Sequence, residues 1–174
     1  MIIIKKYNKS HEKIWDQFVD NSNNGTLFQT RKFLNYHIHR EFTDFSLLIY
    51  NNKTLVAVLP GVLTLKNKLN CFHSHPGASY GGFIIKHQLS FKLINEIIYS
   101  VDKYLRENKF KKIFLINSPI IYWEKPHDTL DYLLQWNQYK IKELYISHAT
   151  NIIDGSSIDQ LLSKRKRRYI VNNK

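Results

Sequence analysis

The sequence has only one cysteine, Cys71, so no disulfide can form within the chain and a disulfide-stapled secreted scaffold is excluded. It also has no apolar run approaching the roughly 18 residues that a membrane-spanning helix needs. The opening segment Met1–Tyr7 places its basic residues after its apolar ones, which is the reverse of a signal peptide and predicts a first strand. Together these absences predict a cytoplasmic protein without a transmembrane segment.

Acidic residues are also scarce. Aspartate and glutamate number 14 against 26 lysines and arginines, and the formal net charge is +12. Such an excess favours a polyanionic partner, although most of the lysines are scattered as they would be on a solvated surface. The exception is Lys164–Arg168, which contains five consecutive cations. A hydrophobic fraction of 43% in 174 residues indicates a folded domain with a core of its own.

The order of helix and strand patterns predicts an α/β fold. A helix over Glu12–Asp20, with Ser10 as its N-cap, is followed by a turn at Asn21–Gly25 and a short helix capped by Thr30. Strand patterns follow at Phe45–Tyr50, Thr54–Leu59, Val62–Leu65, Asn70–His73 and Gly82–Ile85, with a bend at Pro60-Gly61.

The second half begins with the clearest helix, Phe91–Asn108, whose apolar positions keep helical spacing for three turns. A strand is predicted over Lys112–Asn117, and its apolar run Ile113–Ile116 is typical of a central buried strand. A helix over Asp128–Trp136 and one or two strands over Ile141–Ile153 come next. A capping box at Ser156–Asp159 opens a final basic helix. We expect a mixed, largely antiparallel sheet flanked by helices, not a regular βαβ series.

The loop His73–Phe83 concentrates three glycines, a proline, two histidines, two serines and a tyrosine between strand patterns. Glycine is used where the backbone approaches another group closely, and hydroxyl and imidazole groups can grip a polar ligand. The loop therefore predicts ligand contacts from His75, Ser79 and Tyr80, with Gly81-Gly82 amides presented to a phosphate. The alternative is a sharp turn whose polar side chains only satisfy neighbouring backbone.

Other segments carry weaker signals, each with a structural alternative. Gln29, Arg31 and Lys32 at the start of a short helix would suit an anion, or would form a solvated first turn. Tyr122 and Trp123 could stack on a base or sugar, or cover the edge of the core.

A metal site is not expected from this sequence. The pairs His73/His75 and His37/His39 have the spacing of two ligands on one strand face, but zinc needs three or four protein ligands. Cys71 has no nucleophile signature in the residues around it. Asp128 and Asp131 are expected to be ordinary charges at a helix start.

Several segments, taken in order, resemble the N-terminal half of FemAB-like transferases of the GNAT superfamily, in the branch associated with bacterial surface polysaccharides. The matching stretches are Asn24–Leu34, Leu55–Pro60, His73–Phe83, Ile116–Tyr122, Asp131–Leu134 and Ser163–Ile170, and the Ser-Tyr-Gly-Gly sequence within His73–Phe83 is the most specific. The resemblance implies a GNAT-like domain over residues 1–155. It also implies that the basic helix over 156–174 leads toward a second domain that this sequence does not contain.

The same resemblance implies an enzyme that transfers an acetyl or aminoacyl group to an amine of a sugar-nucleotide or cell-envelope precursor. The donor would be acyl-CoA or aminoacyl-tRNA. The usual pyrophosphate loop, Arg/Gln-x-x-Gly-x-Gly/Ala, is absent from the sequence, so no cofactor is bound by a recognisable motif. Arg165 and Arg168 would contact phosphates of the sugar nucleotide or of tRNA.

Two functions from different classes follow. The first is an N-acyltransferase, or one half of one, in which the acceptor amine attacks the acyl group directly. The second is a non-catalytic module that binds such a precursor or a polyanion and needs a partner chain for chemistry. The basic segment would then be a solvated tail that binds polyanions weakly. A surface left uncovered by a missing domain would favour a homodimer or a partner domain.

Overall fold

The structure is a computed structural model that describes residues 1–36 and 42–144. The chain divides into two units, Met1–Glu143 and Leu144–Lys174. Every assigned helix and strand lies in the first unit, and Leu144 is the only described residue of the second. No helix among the described residues combines the length and apolar character needed to cross a bilayer.

The described chain forms four α-helices and eight strands. The helices are α1 (Glu12–Asp20), α2 (Arg31–Leu34), α3 (Phe91–Glu107) and α4 (Thr129–Trp136), with 3-10 turns at Lys9–His11, Leu27–Gln29 and Ile120–Tyr122. The strands are β1 (Ile2–Lys6), β2 (Thr43–Asp44), β3 (Leu47–Asn51), β4 (Thr54–Leu59), β5 (Val62–Lys66), β6 (Leu69–His73), β7 (Ile84–Ile85) and β8 (Lys112–Phe114).

The strands form two four-stranded sheets, in the orders β1-β3-β4-β7 and β2-β5-β6-β8. Every pairing is antiparallel except that of β6 with β8, which is parallel. The predicted mixed, largely antiparallel α/β fold is confirmed.

The two sheets are joined at one end of the β3–β4 hairpin. β4 continues through Pro60-Gly61 into β5, and β3 is preceded by β2, which pairs with β5. The amide of Phe45 donates to Gly61 O at 2.8 Å, and the amide of Gly61 donates to the Ser46 hydroxyl at 3.1 Å. A Cβ on Gly61 would lie 2.0 Å from the Phe72 ring, so only glycine fits beneath that ring. The predicted bend therefore transfers the chain from one sheet to the next without leaving a buried amide unpaired.

The first sheet is covered on both faces, and its strands alternate accordingly. Leu48, Val58 and Ile84 pack with Trp15 and Val19 of α1. The residues that alternate with these along the strands, such as Leu47 and Ile49, lie on the other face of the sheet. They join the main core, which also contains the buried face of α3. Period-two alternation of apolar residues on both sides is what a sheet between two helical layers requires.

Three predictions about the elements were wrong. Ser10 does not cap α1: it lies in the 3-10 turn Lys9–His11, and Asn8 accepts the capping hydrogen bond there because that turn precedes the helix. The apolar run Ile113–Ile116 is only partly a strand, since β8 ends at Phe114 and is the last strand of its sheet in the described chain. Residues 141–144 are not a strand, and the rest of Ile141–Ile153 lies outside the described residues.

Candidate functional site

The loop His73–Phe83 is anchored at both ends on one segment of chain. Ser74 donates its amide to Phe114 O at 2.8 Å and accepts the amide of Ile116 on its hydroxyl, also at 2.8 Å. At the far end of the loop, the amide of Gly81 donates to Ile116 O at 2.7 Å. Residues 75–80 therefore form a closed protrusion from the parallel β6–β8 pairing.

Two of the three glycines of the loop, Gly81 and Gly82, are explained by close packing. A Cβ on Gly81 would lie within 3.0 Å of Ser74, and one on Gly82 would lie 2.3 Å from Asn117 Oδ1. Gly82 also has φ +69°, a conformation that glycine tolerates best. We expected the Gly81 amide to face a phosphate, but that amide is used in the bridge to Ile116, so Gly81 is not an open donor here.

His75 and Ser79 point in different directions. His75 is only 3% exposed, adopts φ +20° and meets the Phe42 ring edge-on with centroids 5.2 Å apart. Ser79 is exposed. The loop thus turns the imidazole into the protein and leaves the hydroxyl in solvent, so these two predicted contacts do not converge on one point.

Tyr80 lies in the middle of a continuous series of ring contacts, here named the aromatic row: Phe28, Phe33, Tyr36, Tyr80 and Tyr122. Centroid separations along it are 5.3 Å for Phe28–Tyr80, 5.7 Å for Tyr80–Tyr122, 5.1 Å for Phe28–Phe33 and 6.4 Å for Phe33–Tyr36. The ends of the row are the most open, with Tyr36 72% and Tyr122 47% exposed. Phe28 stands edge-on to Phe33 and to Tyr80, at 87° to each, and Tyr122 is tilted 48° from Tyr80. A flat ligand ring can therefore stack on an exposed ring at an end of the row, and not across the whole row at once.

Gln29 holds two parts of the row together from beneath. Its side chain is fully buried, its Nε2 donates to the Ser118 hydroxyl at 2.8 Å, and its Oε1 accepts the amide of Thr26 at 2.7 Å. Because its amide is used in this way, Gln29 supports the segments that carry Phe28 and Tyr122. The predicted ligand contact at Gln29 does not have access to solvent in this structure.

The two basic residues of α2 differ in their exposure to solvent. Lys32 is exposed, as a ligand contact would need to be. Arg31 is buried: its guanidinium pairs with the Asp44 carboxylate, donates to the Ser46 hydroxyl at 3.1 Å and lies 3.7 Å from the centroid of Tyr7. The interpretation of Arg31 as an anion-binding group is wrong, because an internal carboxylate already neutralises it.

The outer edge of β7 is closed by the turn after α1. The Asn24 side chain donates to Phe83 O and accepts the amide of Ile85, each at 2.8 Å, while the amide of Asn23 donates to Ile85 O at 2.9 Å. This turn occupies the place of a neighbouring strand, so an extended ligand cannot pair with the β7 edge. Ligand contacts are left to side chains, above all those of the aromatic row.

Trp123 belongs to the core and not to the aromatic row. It is 8% exposed, donates its indole N–H to Ser118 O at 3.3 Å and packs edge-on against His127. Of the predicted aromatic pair, Tyr122 therefore lies on the surface and Trp123 covers the core. Asp131 accepts a hydrogen bond from the Asn117 side chain at 3.0 Å, which joins the first turn of α4 to the segment after β8.

Of the histidine and cysteine candidates for a metal site, the structure describes His73, His75 and Cys71. No group of three or more His, Cys, Asp or Glu among the described residues has metal-binding geometry. Cys71 is fully buried in β6. Burial lowers the pKa of His73, and the nearby charges of Lys66 and Lys142 lower it further. His37, His39, Arg165 and Arg168 lie outside the described residues.

Sequence reasoning missed Phe28, Phe33 and Tyr36 as members of the surface strip. The aromatic residues Phe33 and Tyr36 look like the inner face of a short helix when only spacing is considered. The signal that could have found them is the number of rings between residues 28 and 36 in a segment with few aliphatic side chains. Such a segment has too little core to bury them all.

Comparison with known proteins supports the fold. No family model matches the chain, and no curated protein matches it either. A ribosomal-protein-alanine N-acetyltransferase from Brucella melitensis biovar Abortus 2308 superposes with a TM-score of 0.53 at 13% identity, covering 87% of this chain and 100% of its own. AAC(6')-Iy, in complex with the bisubstrate analogue CoA-S-monomethyl-acetylneamine, superposes with a TM-score of 0.51 at 12% identity, covering 87% and 99%.

A third similar structure is the aminoglycoside acetyltransferase meta-AAC0020 from an uncultured soil metagenomic sample, in complex with sisomicin. Its TM-score is 0.50 at 8% identity, and the match covers 86% of this chain and 97% of that one. At these identities the likeness concerns the fold. The chain shares the mixed α/β fold of these acetyltransferases, with largely antiparallel sheets flanked by helices.

Proposed function

We propose that the chain is the acceptor-binding part of an N-acyltransferase of the FemAB-like type. It would promote transfer of an acetyl or aminoacyl group to an amine on a sugar-nucleotide or cell-envelope precursor. The fold likeness supports this class, because two of the similar structures described above are acetyltransferases by name and the third, AAC(6')-Iy, is bound to a CoA bisubstrate analogue. Two of them are complexed with aminoglycosides or an aminoglycoside-derived analogue, so the same fold accommodates amines carried on sugars.

The observation that carries the proposal is the aromatic row at the base of the glycine-rich loop. Tyr80 contacts both Phe28 and Tyr122, and Tyr122 leaves nearly half of its surface open. A nucleobase or sugar ring stacked on exposed Tyr122, with the Tyr80 ring tilted 48° beside it, would exclude water from one of its faces and leave its polar edge free. Exposed Lys32, next to Phe33 in sequence, and exposed Ser79, next to Tyr80, are suited to a diphosphate or hydroxyl.

The chemistry fits direct transfer. Cys71 is fully buried, so its thiol cannot act as a covalent nucleophile toward a surface ligand. The acceptor amine would attack the acyl carbonyl, and the resulting tetrahedral adduct would expel the thiol of CoA or the ribose hydroxyl of tRNA. The amine proton would pass to solvent. In this scheme the described residues supply binding and orientation, which alone lower the barrier substantially.

The donor is not held by the segment where a pyrophosphate loop would be expected. The connection between β7 and α3 is Lys86–Ser90, which contains no glycine, and Ser90 uses its hydroxyl to cap α3 by accepting the amide of Leu93 at 3.2 Å. A backbone cradle for a pyrophosphate needs open amides and close approach. This segment does not fit an acyl-CoA, so we assign no donor contact to it.

Two measurements with the 174-residue chain test the proposal. Titration calorimetry with nucleoside-diphosphate amino sugars should detect binding that Tyr80→Ala and Tyr122→Ala each weaken about ten-fold, the value of one lost ring stack. Tyr99→Ala, at a tyrosine of α3 that is 66% exposed and lies outside the aromatic row, is the control. Thiol release from acetyl-CoA in the presence of the same amines then tests turnover.

A second function is favoured by one feature: the aromatic row can bind a ligand through ring contacts alone. A stacking strip can bind a precursor without any reacting group nearby, as a non-catalytic module would. Binding that depends on Tyr80 without any acyl transfer, from acetyl-CoA or from aminoacyl-tRNA, would select this alternative. Binding unaffected by both tyrosine substitutions would contradict both functions.

A further inference from the structure

Three other aromatic side chains form a second surface, which we name the α4 platform: Phe91, Tyr132 and Trp136. Tyr132 and Trp136 are one helical turn apart on α4, with ring planes 18° from parallel and centroids 6.3 Å apart. Phe91, at the start of α3, extends the series with its centroid 6.0 Å from that of Tyr132. The platform shares no residue with the aromatic row around Tyr80.

The platform is open to solvent, and the fold does not need it. Phe91 is 56%, Tyr132 53% and Trp136 66% exposed, and none of them belongs to the buried core. The inner face of α4 is completed by Leu130, Leu133 and Leu134, which are buried. Three large rings at the surface, of which Tyr132 contacts the other two, are therefore unexplained by packing, which is a mark of a binding surface.

The charge around the platform indicates its occupant. The chain carries a net charge of +12, yet α4 contains one charged residue, Asp131, and Asp128 precedes it. Lys92, beside Phe91, lies 4.0 Å from Glu96. The charges beside the three rings are therefore acidic or face an opposite charge, and Lys140 is a cation of the neighbouring depression. With no cluster of cations among these groups, the platform suits an uncharged ligand better than a polyanion.

The neighbouring groups are amides, which suit a ligand rich in hydroxyl groups. Gln135 and Gln138 are exposed on either side of Trp136 in sequence. With Tyr139, Lys140 and Ile141 they line a shallow depression of about 380 Å³, room enough for a small ring. A sugar ring has C–H groups on its faces and hydroxyls at its edge. Flat rings bordered by amide side chains match both of these parts.

We propose that the α4 platform binds a neutral saccharide chain. Successive sugar rings would stack on Tyr132 and Trp136, while Gln135 and Gln138 would hydrogen-bond hydroxyls at the ring edges. This site is independent of the acceptor site proposed at Tyr80. It would hold an uncharged glycan whether or not the chain catalyses acyl transfer.

The test uses the 174-residue chain with cellohexaose and chitohexaose as probes in titration calorimetry, with heparin as an anionic comparison. At least one neutral oligosaccharide should bind, and Trp136→Ala and Tyr132→Ala should each weaken that binding about ten-fold. Trp136→Phe should retain part of the affinity because it keeps a flat ring. Tyr99→Ala should change nothing, and Tyr80→Ala should leave this binding intact, which separates the platform from the acceptor site.

Three outcomes would overturn the proposal. The first is the absence of binding to both neutral probes. The second is binding that persists in Trp136→Ala, which would place the ligand elsewhere. The third is light scattering that shows self-association lost in Trp136→Ala without saccharide binding, because the platform would then be an interface between copies of this chain. Unchanged circular dichroism of the variants confirms that the exposed rings were removed without unfolding.

Discussion

The phenol of Tyr139 donates a hydrogen bond to the carboxylate of Asp102 at 2.5 Å, joining the segment after α4 to the buried side of α3. Asp102 is only 8% exposed. Burial raises the pKa of this carboxyl, and the hydrogen bond from Tyr139 and the charge of Arg106 partly oppose the rise. Burial and the neighbouring carboxylate also raise the pKa of Tyr139, so its phenol stays protonated and remains a donor.

This pair makes stability depend on pH. Because the pKa of Asp102 is higher in the folded state, its contribution to the free energy of unfolding is full below the ordinary carboxyl pKa and is lost as pH rises through the raised value. Asp102→Asn keeps an acceptor for Tyr139 and cannot ionise. We expect the variant to gain stability relative to the parent as pH rises from about 4 to about 7, measured by urea unfolding. A constant difference across that range would contradict this reading.

Asn24 should be among the most costly surface-loop positions to change. It is 2% exposed and satisfies both Phe83 O and the amide of Ile85. Asn24→Ala should lower the free energy of unfolding by about 2–4 kcal/mol, because two buried backbone groups lose their partner. Asn21→Ala, at an exposed asparagine of the same turn, should cost under about 1 kcal/mol. Equal costs in denaturant unfolding would argue against the closure of the β7 edge by Asn24.

Gly82 and Asn117 should show coupled effects. Gly82→Ala meets both a φ of +69° and the Asn117 side chain, so it should cost about 2–3 kcal/mol. In the Gly82→Ala background, Asn117→Ala should recover part of this loss, because it removes Asn117 Oδ1, the atom nearest to the added Cβ. The remaining cost, about 1 kcal/mol, is the backbone strain. A double-mutant cycle measures the coupling, and strictly additive effects would disprove the steric account.

Arg31 should not tolerate lysine. The guanidinium contacts Asp44, Ser46 and the face of Tyr7 together, which a single ammonium group cannot reproduce. Arg31→Lys should therefore reduce the free energy of unfolding by about 1–3 kcal/mol, and Arg31→Ala by about 3–5 kcal/mol, since a charge is left unpaired. Lys32→Ala, one residue away and exposed, serves as the control with an effect within about 0.5 kcal/mol. A neutral Arg31→Lys would show that the contacts of the guanidinium with Asp44, Ser46 and Tyr7 do not stabilise the fold.

The elements were predictable where one segment alone decides the outcome. The helices Glu12–Asp20 and Phe91–Glu107 follow from the 3.6-residue spacing of their apolar side chains, and Thr30 caps α2 as its sequence predicts. The bend at Pro60-Gly61 was predictable for the same reason, because the Pro-Gly pair itself indicates it. Ser10 was misread because Asn8, two residues earlier, competes for the same capping role.

The site depended on contacts between distant segments, which spacing does not contain. Residues 28, 80 and 122 meet in the aromatic row only after the sheets have formed, and Gln29 is turned inward by Ser118, 89 residues away. The same applies to Gly81, whose amide was expected to be open and is paired with Ile116.

The sequence by itself determined the α/β class, the helix boundaries to within a residue or two, and the importance of the loop His73–Phe83. Those properties depend on local propensity and hydrophobic period, which each segment carries alone. Only the tertiary structure decided which polar groups of that loop remain open, that Arg31 is neutralised internally, and that Phe91, Tyr132 and Trp136 form one exposed surface. Burial and pairing belong to two segments at once, and the fold alone brings those segments together.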